Sequence, residues 1–329
     1  MLLALTWIVY DLPAEQFSWL SLSSFFVPVL IVGHGVFLLY WTAQKSAKIL
    51  LSLISLLVSL FIFGQFYQIS GSQGPVSGHG FKVMTYNVRN LNKNEQLPLV
   101  SVDSTIMDFI IGESPEVLAV QEAHYAMRRS TRLDDVYPYK FVDFEYGVPH
   151  PKVINAMYSK FPIIKKAIIE FPESSNAALY ADIALPNDTV RVYNVHLQSF
   201  RVVPDVDYLQ NEGSDKLLKR IGRSLRLQEK QARLLQESLE SSPHPVLLLG
   251  DFNNTQFSKT YRLMREGLND SFLEKGNGVG GTFELFDLPV RIDYILADDH
   301  FEIERHQNYL LRLSDHEPVV AQLRLRIDE

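Results

Sequence analysis

The sequence predicts an α/β domain that follows an N-terminal region of transmembrane helices. Residues 246–249 form a continuous apolar run, which is typical of a strand buried on both faces of a sheet. Residues 224–240, just before it, carry apolar side chains at helical spacing, so a helix leads into that strand. The first 66 residues differ from the rest because they contain two long stretches without a charged side chain.

These two stretches, residues 20–41 and 49–66, are predicted to be membrane spans, because a transmembrane helix needs about 20 apolar residues. Trp19, Trp41 and Tyr67 stand at their ends, as aromatic side chains do at membrane interfaces. Residues 1–10 are apolar but too short to span, and could be the remainder of a third helix or a re-entrant piece. A buried helical hairpin in a soluble protein is the alternative interpretation.

The lysines predict the orientation of these spans. Lys45 and Lys48 lie between the spans, whereas Asp11 and Glu15 precede the first one. Because positive loops face the cytoplasm, we expect a multi-pass protein of the cell (inner) membrane, with its catalytic domain outside the cytoplasm. The predicted organisation is a transmembrane region over residues 1–69, a Gly/Ser-rich flexible linker over 70–80 and one catalytic domain over 81–329.

In the predicted catalytic domain, residues 81–329, the strand-like runs end in polar side chains. Sites of α/β folds lie at such strand ends. Gly250 allows a close backbone approach before Asp251, and Asn253 follows on the same side of the strand. Singly, such residues also suit turns or core positions, but their repetition favours a common site. The strand-end residues are Asn87, Glu122, His196, Asp251, Asp293 and, just before the last strand, His316.

The residue types restrict the chemistry of that site. Carboxylate and amide oxygens suit a hard cation such as Mg²⁺ or Mn²⁺, and His316, with Asp293 upstream, suits an imidazole oriented by a carboxylate. The chain contains no cysteine, which excludes a thiolate zinc site and a cysteine nucleophile. It also lacks the Gly-x-Ser-x-Gly motif of serine hydrolases and the Gly-x-x-x-x-Gly-Lys loop of nucleotide hydrolases. Among these classes of catalytic chemistry, the one that remains is metal-assisted attack of water on a phosphorus ester.

The motifs around these residues resemble the endonuclease/exonuclease/phosphatase family, which includes deoxyribonuclease I, abasic-site endonucleases, neutral sphingomyelinases and inositol polyphosphate 5-phosphatases. They occur in the order of that family, from about Phe81 to the C-terminus. The resemblance, to a membrane-anchored bacterial member, implies a four-layer α/β sandwich of two packed mixed β-sheets flanked by helices. The motifs are Thr85-Tyr86-Asn87-Val88, Gln121-Glu122, Asn194-Val195-His196-Leu197, Gly250-Asp251-Phe252-Asn253, Arg291-Ile292-Asp293-Tyr294-Ile295 and Ser314-Asp315-His316.

The resemblance also implies roles for single residues. Glu122 would be the principal ligand of Mg²⁺, with Mn²⁺ as an alternative. Asn87 beside it would hold metal or phosphate, and Asp315 would contribute to a second metal position.

The catalytic group follows from the same resemblance. His316 would be the general base that activates water, and Asp293 would orient it. Asp251 and Asn253 would position the nucleophile and the phosphate oxygens, and His196 would donate a hydrogen bond or a proton to the phosphoryl group.

The sequence leaves the substrate open. The first 80 residues are neutral overall, so the formal charge of −7 belongs to the remainder, unlike the basic surface of a tight nucleic-acid binder. We expect a membrane-anchored, Mg²⁺-dependent phosphodiesterase that is most like a nuclease. The alternatives are a phospholipase, sphingomyelinase or inositol-phosphate phosphatase activity and a non-catalytic, membrane-tethered binding module. The expected partners are the lipid bilayer and a phosphate ester of nucleic acid or of a phospholipid headgroup, which residues 201–213 would face.

Overall fold

The computed structural model describes residues 2–69, 80–93, 99–143, 153–200 and 214–326. Two of the expectations above therefore lie outside the described residues: the linker, except for Gly80, and the substrate-facing loop over residues 201–213.

The N-terminal region consists of helices, as expected. Helix α1 is Leu2–Val9, α2 is Ala14–Ser21, α3 is Val27–Ala43 and α4 is Ile49–Phe63, with a short 3₁₀ helix at Leu22–Phe26 leading into α3. Leu22–Ala43 together form 22 helical residues of mean hydropathy 2.1, the one helix among the described residues that is long and apolar enough to cross a membrane.

The second stretch is shorter than the sequence predicts. Helix α4 ends at Phe63 rather than at residue 66, because Gly64 adopts a non-helical backbone conformation with a positive φ of 71°, which glycine tolerates and which terminates the helix. Its 15 residues are fewer than the roughly 20 of a typical span.

The N-terminal helices pack on the following domain. Leu3, Val27 and Phe63 form a buried cluster with Phe257 of that domain. Helix α1 thus lies at the base of the α3–α4 hairpin, and both ends of the hairpin meet the domain. The hairpin tip, around Ser46, points away from this contact.

The first of two large sheets contains six strands. β1 and β2 are parallel, and the other neighbours are antiparallel. The strands are β1 (Phe81–Asn87), β2 (Val117–Gln121), β3 (Tyr139–Val142), β4 (Ala156–Ser159), β13 (Phe301–Asn308) and β14 (Val319–Leu325), in the order β13-β14-β1-β2-β4-β3.

The second sheet is also mixed. β7 and β8 are parallel, and the other neighbours are antiparallel. Its strands are β5 (Ile163–Glu170), β6 (Ala177–Ala184), β7 (Thr189–His196), β8 (Val246–Asp251), β9 (Asn269–Asp270) and β12 (Asp293–Ala297), in the order β5-β6-β7-β8-β12-β9. A separate hairpin is formed by β10 (Phe283–Leu285) and β11 (Leu288–Val290).

The two sheets pack face to face through their apolar sides. Val83 and Ala119 of the first sheet share a fully buried cluster with Val192 and Leu247 of the second. Helices cover both outer faces, so the fold is the expected four-layer α/β sandwich. They are α5 (Val102–Glu113), α6 (Tyr125–Arg128) and α7 (Thr131–Asp134) on the first sheet, and α8 (Ser214–Glu240) and α9 (Lys259–Arg265) on the second, with α10 (Ser271–Lys275) beside β12 and β13.

Helix α8 is longer than the residues 224–240 that the sequence predicts. Its apolar stripe continues towards the N-terminus through Leu217 and Ile221. These residues pack with Leu225 on Ala14 and Leu22 of the N-terminal region. The additional turns are therefore covered by the N-terminal region, and a local sequence pattern does not reveal this distant contact.

Candidate active site

The strand ends of both sheets meet at one edge of the sandwich. In the second sheet, Asp251 is the register partner of His196 on β7 and of Asp293 on β12. In the first sheet, Asn87 ends β1, and Glu122 directly follows β2. The sheets are joined there because Nδ2 of Asn87 donates a hydrogen bond of 3.1 Å to Oδ2 of Asp251.

Asp251 is the centre of this cluster. Its buried Oδ2 also accepts a hydrogen bond of 3.1 Å from Nδ2 of Asn253. Nε2 of His196 lies 3.6 Å from the same oxygen, and Nε2 of His316 lies 3.7 Å from it. Burial raises the pKa of Asp251 to about 7, although the neighbouring charge of His316 opposes this shift.

The glycine before Asp251 is required by the packing of the strands. Gly250 has φ of 143°, and a Cβ atom at this position would lie 2.0 Å from the carbonyl oxygen of Val195. The close backbone approach expected from the sequence is therefore an approach of β7 to β8.

Glu122 and Asn253 both have unusual backbone conformations. Their φ values are 48° and 49°, in the left-handed region that non-glycine residues rarely adopt. Such strain is typical of residues whose orientation serves a site. Oε1 of Glu122 lies 3.4 Å from Nδ2 of Asn87. Burial is the largest effect on Glu122 and raises its pKa.

His316, which precedes β14 of the first sheet, is held by two carboxylates of the second sheet. Its Nδ1 forms a hydrogen bond of 2.9 Å with Oδ2 of Asp293. Burial alone would lower the pKa of His316, but the carboxylates of Asp293 and Asp251 and this hydrogen bond raise it well above the usual value. The imidazole therefore has a fixed orientation, and Nε2 is the nitrogen that faces Asp251 and the cavity.

His196 has the opposite electrostatic character. Burial lowers its pKa to about 3, and the charge of His316 adds to this effect, so the imidazole is neutral. Neither ring nitrogen of this buried side chain has a hydrogen-bond partner among the described residues. Nε2 lies 3.9 Å from Oε1 of Glu122. Because buried polar atoms are normally satisfied, this nitrogen is available for a further hydrogen bond.

Asp315 lies at the rim of the cluster. Its Oδ2 forms an ion pair of 3.3 Å with Nε of Arg89. The structure thus brings all eight predicted site residues together: six of them surround Asp251, and Asp315 lies at the rim of the cluster. They are Asn87, Glu122, His196, Asp251, Asn253, Asp293, Asp315 and His316.

Three supporting residues were not assigned by sequence reasoning. Oγ1 of Thr282 accepts hydrogen bonds of 3.1 Å from the backbone N–H groups of Ile292 and Asp293. Oγ of Ser314 donates to the carbonyl oxygen of Asn87 at 2.9 Å, and Arg89 pairs with Asp315 as described. Ser314 stands inside a recognised motif, but nothing in the sequence around Thr282 points to this contact.

The donor set fits a divalent cation. Ligand atoms of Asp251, Asp293 and His316 all lie within 4.8 Å of one another, and Oδ1 of Asp293 is buried without a hydrogen-bond partner in the part of the chain that the structure describes. Carboxylate and amide oxygens are preferred by hard cations. Asn87 directs its amide hydrogens towards Glu122 and Asp251, and would have to turn over to offer its oxygen to a cation between them.

A cavity of about 310 Å³ opens beside the cluster. Glu122, Asn253 and His316 line its polar end. The remaining wall is mainly apolar and includes Leu22 and Phe25 of the N-terminal region. The sequence did not indicate that this region reaches the site.

Fold, site and motifs agree with one family. The model of the Endonuclease/Exonuclease/phosphatase family matches residues 84–316, and the chain therefore belongs to this family. A second model, described as a domain of unknown function, matches residues 1–66. Among proteins with curated descriptions, none matches the chain.

Solved structures of this fold are similar to the chain at low identity. An endonuclease/exonuclease/phosphatase from Beutenbergia cavernae DSM 12333 is 19% identical, with a TM-score of 0.54 over 75% of this chain and 72% of that one. D. rerio TDP2 complexed with single strand DNA product is 16% identical, with a TM-score of 0.57 over 74% and 98%. The human Nocturnin catalytic domain with bound sulfate anion is 16% identical, with a TM-score of 0.56 over 75% and 94%. These likenesses establish the fold.

Proposed function

We propose that the protein is a divalent-metal-dependent phosphodiesterase held on a membrane by its N-terminal helices. The observation that carries this proposal is the His316–Asp293 pair, which stands beside the carboxylates of Asp251 and Glu122 at the joined edge of two sheets. An oriented imidazole next to a set of hard-cation ligands is suited to activating water against a phosphorus ester.

In this proposal, His316 is the general base. As the water oxygen bonds to phosphorus, a water proton moves to Nε2 of His316, one P–O ester bond breaks, and the leaving oxygen takes up a proton. Asp251 and Asn253 position the water and the phosphate oxygens. Neutral His196 donates a hydrogen bond to the phosphoryl group, which its unsatisfied ring nitrogens support.

Glu122 and Asn87 would hold the cation, Mg²⁺ or Mn²⁺, and Asp315 would serve a second metal position. A bound divalent cation neutralises the charge that develops on the phosphoryl oxygens. It would also oppose the carboxylates that raise the pKa of His316, and so favour the unprotonated imidazole that a base requires.

Within this class, a nuclease is one candidate, because D. rerio TDP2, which has a similar fold, was crystallised with a single strand DNA product. A lipid phosphodiesterase is the second candidate, and the apolar cavity beside His316 favours it. The preserved cluster argues against a binding module without catalysis.

The catalytic part is tested with the full chain in detergent, Mg²⁺ and the chromogenic diester bis(p-nitrophenyl) phosphate. We expect His316→Ala to lower kcat by about 100-fold or more, and a chelator to abolish turnover. His300→Ala is the matched control, since the His300 side chain is 63% exposed and outside the site. Unchanged turnover in His316→Ala, or in the presence of the chelator, would refute the proposal.

The membrane part rests on the apolar helix Leu22–Ala43 and on the α3–α4 hairpin, whose base lies on the catalytic domain. This geometry supports a hairpin that crosses the bilayer with Lys45 and Lys48 at the cytoplasmic tip. The shorter α4 would span only with the interfacial residues at its ends.

Topology is tested with single cysteines, because the natural chain has none. In right-side-out membrane vesicles, an impermeant maleimide is expected to label His300→Cys directly and Ser46→Cys only after lysis. The reverse pattern contradicts the orientation, and direct labelling of both positions contradicts a membrane-spanning hairpin.

A further inference from the structure

The cavity beside the catalytic cluster is shared between two parts of the chain. Its polar end is formed by Glu122, Asn253 and His316 of the catalytic domain, and Leu22, Phe25 and Phe26 line it from the N-terminal side. A ligand that extends from the catalytic cluster into this cavity therefore contacts the N-terminal region.

These N-terminal residues lie directly at the start of the apolar helix. Leu22–Phe26 is the 3₁₀ helix that continues into α3, and together they form the helix with membrane-spanning length. Phe25 packs edge-to-face on Phe200 of the catalytic domain, with ring centroids 5.5 Å apart, while Phe26 is 57% exposed. The apolar wall is thus continuous from the catalytic domain to the surface of the proposed span.

The opposite wall is the β10–β11 hairpin. Phe283 pairs through its backbone with His316, and the ring centroids of these two residues are 5.1 Å apart. Phe286 at the hairpin tip lines the cavity and is 44% exposed, and Leu288 beside it is 57% exposed. Exposed apolar side chains grouped at the mouth of a pocket are typical of a membrane or ligand contact.

The charges of the cavity separate two classes of substrate. Among the described residues that line it, none is lysine or arginine, whereas nucleic acids are bound mainly through phosphate contacts to these side chains. A lipid has a single phosphodiester next to long apolar chains. That arrangement matches a cavity with a metal-binding cluster at one end and aromatic and aliphatic side chains along the rest.

We propose that the substrate is a phosphodiester lipid of the bilayer that α3 crosses. Its phosphate would reach the cluster around Asp251, and its acyl chains would lie between Phe25, Phe26 and the β10–β11 hairpin. This inference rests on the proposed phosphodiesterase function. The step is the same hydrolysis, in which water adds to phosphorus, one P–O bond breaks and the leaving oxygen carries a proton.

The experiment uses the full chain in detergent micelles with Mg²⁺ and a series of p-nitrophenyl alkyl phosphodiesters that differ only in alkyl length. For the natural sequence, kcat/KM is expected to rise with length, by up to roughly fourfold for each methylene buried in the cavity. Phe25→Ala and Phe26→Ala are expected to flatten this dependence, and Phe25→Leu, which keeps an apolar wall, to preserve most of it.

The matched control is Phe61→Ala, because Phe61 is a membrane-segment phenylalanine that is 91% exposed and does not line the cavity. It should keep the dependence on length, which separates the cavity from partitioning of long esters into micelles. Thermal unfolding verifies that each variant is folded.

Three results would overturn the lipid assignment: a kcat/KM independent of alkyl length, an unchanged length dependence in both alanine variants, or DNA or RNA cleavage with a higher kcat/KM than the longest ester. If neither the esters nor the nucleic acids are hydrolysed, the proposed phosphodiesterase function itself fails, and the lipid assignment fails with it.

Discussion

Nδ1 of His316 and Oδ2 of Asp293 are joined by a hydrogen bond of 2.9 Å that crosses from one sheet of the sandwich to the other. His316 lies three residues before the start of β14 in the first sheet, and Asp293 is the first residue of β12 in the second. The orientation of the imidazole therefore depends on how the two sheets pack. Fixing Nδ1 leaves Nε2 as the nitrogen available for proton transfer.

Replacing Asp293 with asparagine tests this relationship. We expect Asp293→Asn to lower kcat by roughly 10² to 10⁴, the usual contribution of a positioned base. The carboxylate of Asp293 raises the pKa of His316, so its removal lowers that pKa. His316 would then lose its proton at a lower pH, and the acidic limb of the pH–kcat profile should move to lower pH.

Asp188→Asn is the control for this variant, because Asp188 is exposed and precedes β7 at the end opposite His196. It should keep both the rate and the pH profile. A profile that stays in place in Asp293→Asn would contradict the assigned role, even if the rate falls.

Glu122 is the residue that we expect to dominate metal binding. Glu122→Gln keeps the shape of the side chain but removes its charge, and should raise the Mg²⁺ dissociation constant by at least about tenfold. Isothermal titration measures this directly, without reference to turnover. Glu302→Gln changes an exposed glutamate and should leave the constant unchanged; equal affinities in the two variants would exclude Glu122 as a main ligand.

Much of the site could be predicted from the sequence because its residues are encoded locally. Asp251 follows an apolar run, and His316 follows a serine and an aspartate in a short motif. The apolar pattern of a strand and the turn residue that follows it involve only a few neighbouring positions. The end of each strand could therefore be recognised without knowing which strands pair with it in the sheet. The four-layer fold was implied by the resemblance of these motifs to the endonuclease/exonuclease/phosphatase family.

The remainder depends on contacts between distant parts of the chain. The hydroxyl of Thr282 accepts a hydrogen bond from the backbone N–H of Asp293, and Phe25 lines the cavity. The sequence around these two positions contains no local pattern that predicts either contact. The sequence also could not indicate that Ala14 would lie on helix α8, because an apolar N-terminal segment predicts burial in lipid as readily as burial on a protein surface.

Gly250 allows a test of strand packing that is independent of catalysis. A Cβ atom there would lie 2.0 Å from the carbonyl oxygen of Val195. We therefore expect Gly250→Ala to reduce the free energy of unfolding by about 3 kcal/mol or more. Gly112→Ala is the matched control, because its added Cβ would meet no described atom within 4 Å beyond its chain neighbours and its own helix backbone, and alanine favours a helix by roughly 0.5–1 kcal/mol. Denaturant unfolding measures the free energy of unfolding of both variants. Equal values for the two variants would contradict the tight contact between β7 and β8.

Glu229 connects the N-terminal segment to the catalytic domain. Its Oε2 accepts a hydrogen bond of 2.6 Å from the backbone N–H of Ala14, and its Oε1 lies 2.8 Å from Arg233 and 3.3 Å from Lys259. Burial alone would raise the pKa of Glu229, but these donors lower it below the usual value. Removing the charge in Glu229→Gln should therefore reduce the free energy of unfolding by about 1.5–3 kcal/mol and expose the turn around Asp11 to proteases.

The effect of Glu229 should also depend on pH. Because its folded pKa is depressed, its contribution is complete above the unfolded pKa of about 4.3 and is lost as the pH falls through the folded value. The difference in Tm between the natural sequence and Glu229→Gln should thus be constant near neutral pH and shrink below about pH 4. Glu237→Gln, at an exposed position of the same helix, should show no such difference. A Tm difference that persists unchanged into strong acid would mean that the charge of Glu229 does not hold the N-terminal segment in place.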